Sequence, residues 1–208
     1  TCKPFQPPPL LRLPMRKLCL LAALISPLAS AQVVSVETNS LMRLPNTAST
    51  LQLERLEVAD YGTLLIPSNV TEVTVGELHL GREARIAIVP GEQALALKVR
   101  RADLSEGSQF TSRGSPGTYQ KAARSGRSLD LQIKTLNAAQ LNVDARGGAG
   151  APGFVGLDGA NGQEPGCTWG QAGRGADGSD GSNGQPGAPG ALVKLAVPQD
   201  FPADRIKV

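Results

Sequence analysis

Between Leu51 and Val143 the apolar residues recur in one frame, Φ-x-Φ-x-x-Φ-x-Φ-x5-Φ-x-Φ, where Φ is apolar. The first copy uses Leu51, Leu53, Leu56, Val58, Leu64 and Ile66. The second, 22 residues on, uses Val73, Val75, Leu78, Leu80, Ile86 and Ile88. The third, a further 24 on, uses Leu97, Val99, Ala102, Leu104 and Phe110, with Ser112 in the last apolar place. The fourth uses Leu131, Ile133, Leu136, Ala138, Leu141 and Val143, its middle gap shorter by three residues. Alternation at period two predicts strands, and the x-x step predicts a corner between two of them. Pro67, Pro90, Gly114 and Gly147 follow the last strand of each copy, where the chain must turn.

A repeat near 22 residues with three short strands predicts a mainly β fold, a β-solenoid resembling a small right-handed parallel β-helix. Each copy is then one coil, and stacking supplies the core. An antiparallel sandwich shares the alternation but not the constant spacing. Val34, Val36, Leu41 and Leu44 predict an irregular first coil or cap, and Ser115–Arg127 (SPGTYQKAARSGR) is a polar, basic insertion between copies three and four. After Gly190, Ala191–Val197 alternates as a strand, and Arg205–Val208 begins another alternating segment. Val208 falls in mid-pattern, as expected of a gene fragment.

A second pattern follows the first. Glycine occupies every third position from Gly147 to Gly162 and again from Gly175 to Gly190, six residues in each run. The connector Gln163–Arg174 breaks the phase and carries Cys167 and Trp169. Two structures need this spacing. In a collagen triple helix only glycine fits at the crowded axis. In a folded hairpin of polyproline-II helices, glycine gives each helix a bare face, and the backbone groups pair across it. Equal run lengths and a 12-residue connector favour the hairpin over a collagen-like trimer.

The string RGGAGAPGFVGLDGANGQ, followed by GCTWGQAGRGADGSDGSNGQPGAPGALVKLAVP, resembles the collagen-like, glycine-rich (G-x-y repeat) exported proteins of bacteria. The resemblance spans Leu129 to Val197. It implies an exported structural or surface protein and brings no catalytic residues with it.

The N-terminal region agrees with export. Met15-Arg16-Lys17, the apolar Leu18–Ile25 and the A-x-A-type site ending at Ala31 read as a signal peptide over 15–31. The apolar run is too short for a membrane-spanning helix, which needs about 20 residues. Residues 1–14 read as an upstream artefact. The expected organisation is therefore a solenoid at 32–146, a glycine-rich module at 147–190 and a C-terminal strand segment at 191–208, in a secreted, periplasmic or cell-surface protein.

Composition sharpens what can be excluded. Aromatics are 3% of the chain, too few for nucleic-acid stacking. Beyond Ala31 there are 17 basic and 18 acidic residues, so the mature chain is near −1 and its charge points to no nucleic acid. Basic residues concentrate locally, and Lys121, Arg124 and Arg127 are the candidate contacts for surface polysaccharide or another envelope protein. Trp169 is a candidate for stacking on a sugar ring, and Cys167, unpaired after export, a candidate intermolecular thiol.

Catalytic chemistry finds little support. His79 is the only histidine, on an outward position with no nucleophile beside it. Asp60, Glu83, Asp103 and Glu106 fall in or near successive x5 gaps, where stacking could align an acid/base or metal cluster as in polysaccharide-cleaving β-helices. The stretch Asp177–Asn183 suggests calcium superficially, but its acidic residues stand three apart and do not follow the D-x-D-x-D-G loop. No catalytic residue, metal or cofactor is expected. The reading is a non-enzymatic structural or adhesive protein, with a carbohydrate-binding or polysaccharide-cleaving β-helix as the alternative.

Overall fold

The period-two alternation becomes twelve strands in the computed structural model, which describes residues 32–164, 166 and 172–208. The expected leader, the segment before it, Cys167 and Trp169 lie outside the described residues. In chain order the first six strands are β1 (Val33–Val36), β2 (Leu41–Arg43), β3 (Thr50–Val58), β4 (Thr63–Ile66), β5 (Glu72–Leu80) and β6 (Arg85–Ile88). Then come β7 (Leu95–Leu104), β8 (Gln109–Thr111), β9 (Leu129–Ala138), β10 (Leu141–Asp144), β11 (Val193–Ala196) and β12 (Ile206–Lys207). The odd-numbered strands form one six-stranded sheet and the even-numbered ones another, each in coil order. All ten strand pairings are parallel. The fold is mainly β and compatible with a β-helix-like architecture.

The apolar frame is the core. All six frame residues are buried in copies one to three, Ser112 included, while Leu136 and Ala138 of copy four are half-buried. Burying each Val, Leu or Ile contributes about 1.5–3 kcal/mol. A single coil puts one strand in each sheet but leaves its inward side chains open above and below, so that burial exists only in the stack.

Three details differ from the sequence expectation. First, each of these coils has two strands where three short ones were expected. The x-x corner does not break the chain's pairing. In β3, β5 and β7 two successive outward residues (Glu54-Arg55, Gly76-Glu77, Arg100-Arg101) bend one long strand, and the ladder skips only the first of each pair. Gly76 is required there, because a Cβ would lie 2.5 Å from the Glu54 carbonyl oxygen.

Second, the shortened gap of copy four shifts its register. Val143 pairs with Phe110, so Leu141 stands above Ser108 and Ala145 above Ser112. A shift of two residues keeps every inward side chain inward. Third, the first coil turns Met42, not Leu41, toward the frame: Met42 pairs with Leu64, and Leu41 is 70% exposed.

The x5 gaps hold a stacked turn. Asn39, Tyr61, Glu83 and Gly107, at intervals of 22, 22 and 24, all have positive φ (55°, 59°, 54° and 73°). The first three donate their N–H to the carbonyl oxygens of Asp60, Arg82 and Glu106 in the next coil, at 3.2, 2.8 and 3.0 Å.

Segment 191–208 is no separate appendage. β11 pairs with β9 and β12 with β10, adding a further coil to the same two sheets. The described residues accordingly belong to one compact unit, Ala31–Val208.

Between β10 and β11 the glycine runs lie antiparallel, 147–162 going out and 173–190 returning. Backbone N–H groups of Ser179, Ser182, Gln185, Ala188 and Ala191 donate to the carbonyls of Leu157, Phe154, Ala151, Gly148 and Ala145, at 2.7–3.0 Å. Donors and acceptors both advance by three residues, in opposite directions. A Cβ on Gly147, Gly150 or Gly153 would collide with the carbonyl oxygens of Ala188, Gln185 or Ser182. The spacing therefore serves close backbone approach within one chain.

Candidate functional site

The basic insertion joins this hairpin. Gly114 and Gly117, also three apart, donate to the carbonyls of Arg146 and Ala149 at 2.9 and 2.8 Å. The chain reverses at Thr118–Lys121, and Arg124 then donates to Ser115 at 2.9 Å and accepts from Gly148 at 3.0 Å. Gly148 breaks the triplet phase for this reason: its missing side chain is where Ser115 passes. The insertion is thus a second, smaller pair of arms packed on the base of the first.

That packing separates the three basic candidates. Lys121 and Arg124 are exposed at the reversal and on the returning arm. Arg127 is fully buried, so the expectation that it is a surface contact is wrong. Its Nε, Nη1 and Nη2 donate to the carbonyls of Gln93, Pro67 and Val70 at 2.6, 3.2 and 2.6 Å. Burial pushes its pKa below the ordinary arginine value. The residue pins the return of the insertion to the corners of two earlier coils.

Where the insertion ends, the outgoing arm becomes apolar. Tyr119 stacks on Phe154 with ring centroids 4.5 Å apart and planes at 18°. Phe154, Val155 and Leu157 are 62%, 91% and 75% exposed, and Tyr119 54%. This patch escaped the sequence reading because the insertion read as a loop. Its signal was the triplet phase itself, which puts Phe154 and Leu157 on the same row of the arm as Gly148 and Ala151.

Ser179 and Ser182 work inside the hairpin. Their hydroxyl oxygens accept from the N–H groups of Leu157 and Phe154 at 3.2 and 2.8 Å, completing two-bond pairs with those residues. Two of the oxygen-bearing side chains in Asp177–Asn183 are thus taken up by the backbone of the facing arm. At the hairpin's base, the Arg146 guanidinium donates to Asp144 at 2.9 and 2.8 Å and holds its carboxyl below the usual carboxylate range, against the opposing pull of burial.

A second surface lies on the sheet of long strands. Coil offsets bring Arg55, Glu77 and Arg101 into one row and Glu57, His79 and Asp103 into the next. An open groove of about 360 Å³ runs between them. Glu77 lies 2.8 Å from Arg55 and 3.9 Å from Arg101, and His79 Nδ1 lies 3.6 Å from Asp103. Asn137 donates to Asp103 at 3.1 Å. In the Arg55–Glu77–Arg101 row alternating sign stops like charges stacking directly, and exposed pairs of this kind contribute at most about 1 kcal/mol each.

The x5 carboxylates do not converge. Asp60 accepts from the Arg82 N–H at 2.8 Å, Glu83 occupies a positive-φ turn, and Asp103 belongs to the groove. Among the described residues no three His, Cys, Asp or Glu side chains are grouped to hold a metal ion, and no helix is long and apolar enough to cross a membrane. Comparison with protein families, curated proteins and solved structures finds no match.

Proposed function

We propose that this is an exported, non-enzymatic protein of structural or adhesive type, acting in the cell envelope or outside the cell. A β-solenoid carries a glycine-rich module of polyproline-II arms, and the solenoid's insertion and the arms together form the contact surface. One observation carries the reading. Two segments about 30 residues apart are joined by a backbone ladder at three-residue steps, and this brings Lys121, Arg124 and the Tyr119–Phe154 pair to one exposed place. An adhesive surface needs such a rigid platform, since contacts held in place before binding lose less entropy on binding.

The groove favours a second reading, a carbohydrate-binding or polysaccharide-cleaving β-helix, because it places carboxylates beside a histidine. A panel of anionic surface polysaccharides and envelope fractions separates the two. Retention without release of reducing ends is expected, weakened several-fold by Lys121→Ala with Arg124→Ala. Release of reducing ends that disappears in Glu77→Gln or Asp103→Asn would move the function to the groove. Absence of retention on every fraction counts against an adhesive role.

A further inference from the structure

Beside the groove, the sheet of long strands gathers cations at its bend. Val99 of β7 pairs with Ile133 of β9 and Arg101 with Thr135, so Arg100 and Lys134 stand opposite each other. Both are exposed, and neighbouring strands lie about 4.8 Å apart. No other row of the two sheets puts like charges on adjoining strands. Arg101, the next residue along β7, adds a third positive charge to the same corner. The carboxylates around it are engaged elsewhere. Glu72 accepts from Lys98 at 2.7 Å, Glu77 from Arg55 at 2.8 Å, Asp103 from Asn137 at 3.1 Å and Asp130 from Gln132 at 3.2 Å. Arg101 reaches only the second oxygen of Glu77, at 3.9 Å, and neither Arg100 nor Lys134 has an ion pair among the described residues. A Cβ on Gly76 would stand 3.0 Å from Arg100 Nη2, so this guanidinium lies over bare backbone of β5.

Like charges directly opposite on neighbouring strands destabilise a sheet, and no described side chain offsets this pair. We propose that Arg100, Arg101 and Lys134 form an anion subsite of the groove, and that its ligand is an acidic polysaccharide whose carboxylate they hold. The inference rests on the reading of the groove as a carbohydrate-binding surface, and it assigns the class of sugar. Arg101 belongs to both parts, since it lines the groove with Glu57, His79 and Asp103. A uronic-acid ring lying there sets hydroxyls against the groove's carboxylates, which only accept, and its own carboxylate against the cations. A uniformly charged polyanion fits less well, because Glu57, Glu77 and Asp103 repel its remaining charges.

Calorimetric titration with short oligogalacturonates tests it. Binding is expected, weakened by added salt, with neutral oligosaccharides of the same length and oligoglutamate each bound about ten-fold more weakly. Arg100→Gln with Lys134→Gln should lower the oligogalacturonate affinity about ten-fold. Arg85→Gln with Lys207→Gln, which removes the same charge from the other sheet, should leave it unchanged. Lys134→Gln alone should weaken binding yet raise the melting temperature of the free protein, because it relieves the repulsion with Arg100. A lower melting temperature would instead make Lys134 a structural residue and sink the proposal. Equal binding of neutral oligosaccharides would overturn the anion subsite while leaving the groove reading in place. Oligoglutamate binding as tightly would falsify the assignment to a sugar, and no binding of any oligosaccharide would remove both the subsite and the groove reading.

Discussion

At the residue scale, Arg127 shows how burial reverses a reading from charge. A cation amid basic neighbours in a polar segment looks like surface, yet this one is fully buried with three carbonyl acceptors. Its charge is tolerated because a planar guanidinium can donate along three directions at once, and charge-assisted bonds are the stronger kind. Lysine has one ammonium on a flexible stem and cannot span the same three oxygens. Arg127→Lys should therefore destabilise the protein by more than about 1 kcal/mol, and Arg127→Met, which removes the guanidinium donor from all three carbonyls and leaves Pro67 only the Val70 N–H, by more than about 2 kcal/mol. Denaturant titration measures both. Stability unchanged by Arg127→Met would show that the carbonyls find other partners at no cost.

Elements made of glycine behave differently from those made of apolar residues, and the two runs are not equivalent. A Cβ on Gly147 would collide with the Ala188 carbonyl, whereas one on Gly190 would stand 3.1 Å from the Ala145 carbonyl. Gly147→Ala should force the arms apart, exposing the amides of Ala188 and Ala191 to hydrogen exchange. Gly190→Ala requires a shift of only a few tenths of an ångström and should leave those amides protected. Equal loss of protection in both variants would contradict the asymmetry. The same contrast explains what could be read in advance. The solenoid frame was legible because inward positions are apolar, and the hairpin because close approach admits only glycine. The insertion was harder, since only Gly114, Gly117 and Gly126 hint at packing and polar residues fill the rest. The groove depends on residues 22 and 24 apart being neighbours, a relation visible once the coils are in register but carrying no composition signal. The two-residue shift of copy four was hidden because stepping by two leaves the apolar pattern unchanged.

For the whole molecule, the question is whether the coils need the hairpin. Ala191 donates to the Ala145 carbonyl at 2.7 Å, so the chain leaves and re-enters the stack at adjacent points. The coils therefore see the hairpin as a closed excursion, and its length enters their stability mainly through loop closure, about 0.6 kcal/mol per doubling. Replacing residues 151–185 with a short Asn-Gly turn should leave β11 paired with β9 and β12 paired with β10. A cooperative melt and the β-sheet dichroism band should survive, while the protected amides of the two arms disappear. Some loss is expected where the insertion packs on the arms, because Gly117 loses cover from Ala151, but the bonds from Gly114 to Arg146 and from Gly117 to Ala149 remain. If the truncated chain instead fails to fold, the hairpin is part of the core that builds the last coil, and the glycine ladder must form before β11 can add to the sheet. The two outcomes differ in which structure templates the other, and the adjacency of Ala145 and Ala191 favours the coils as the template.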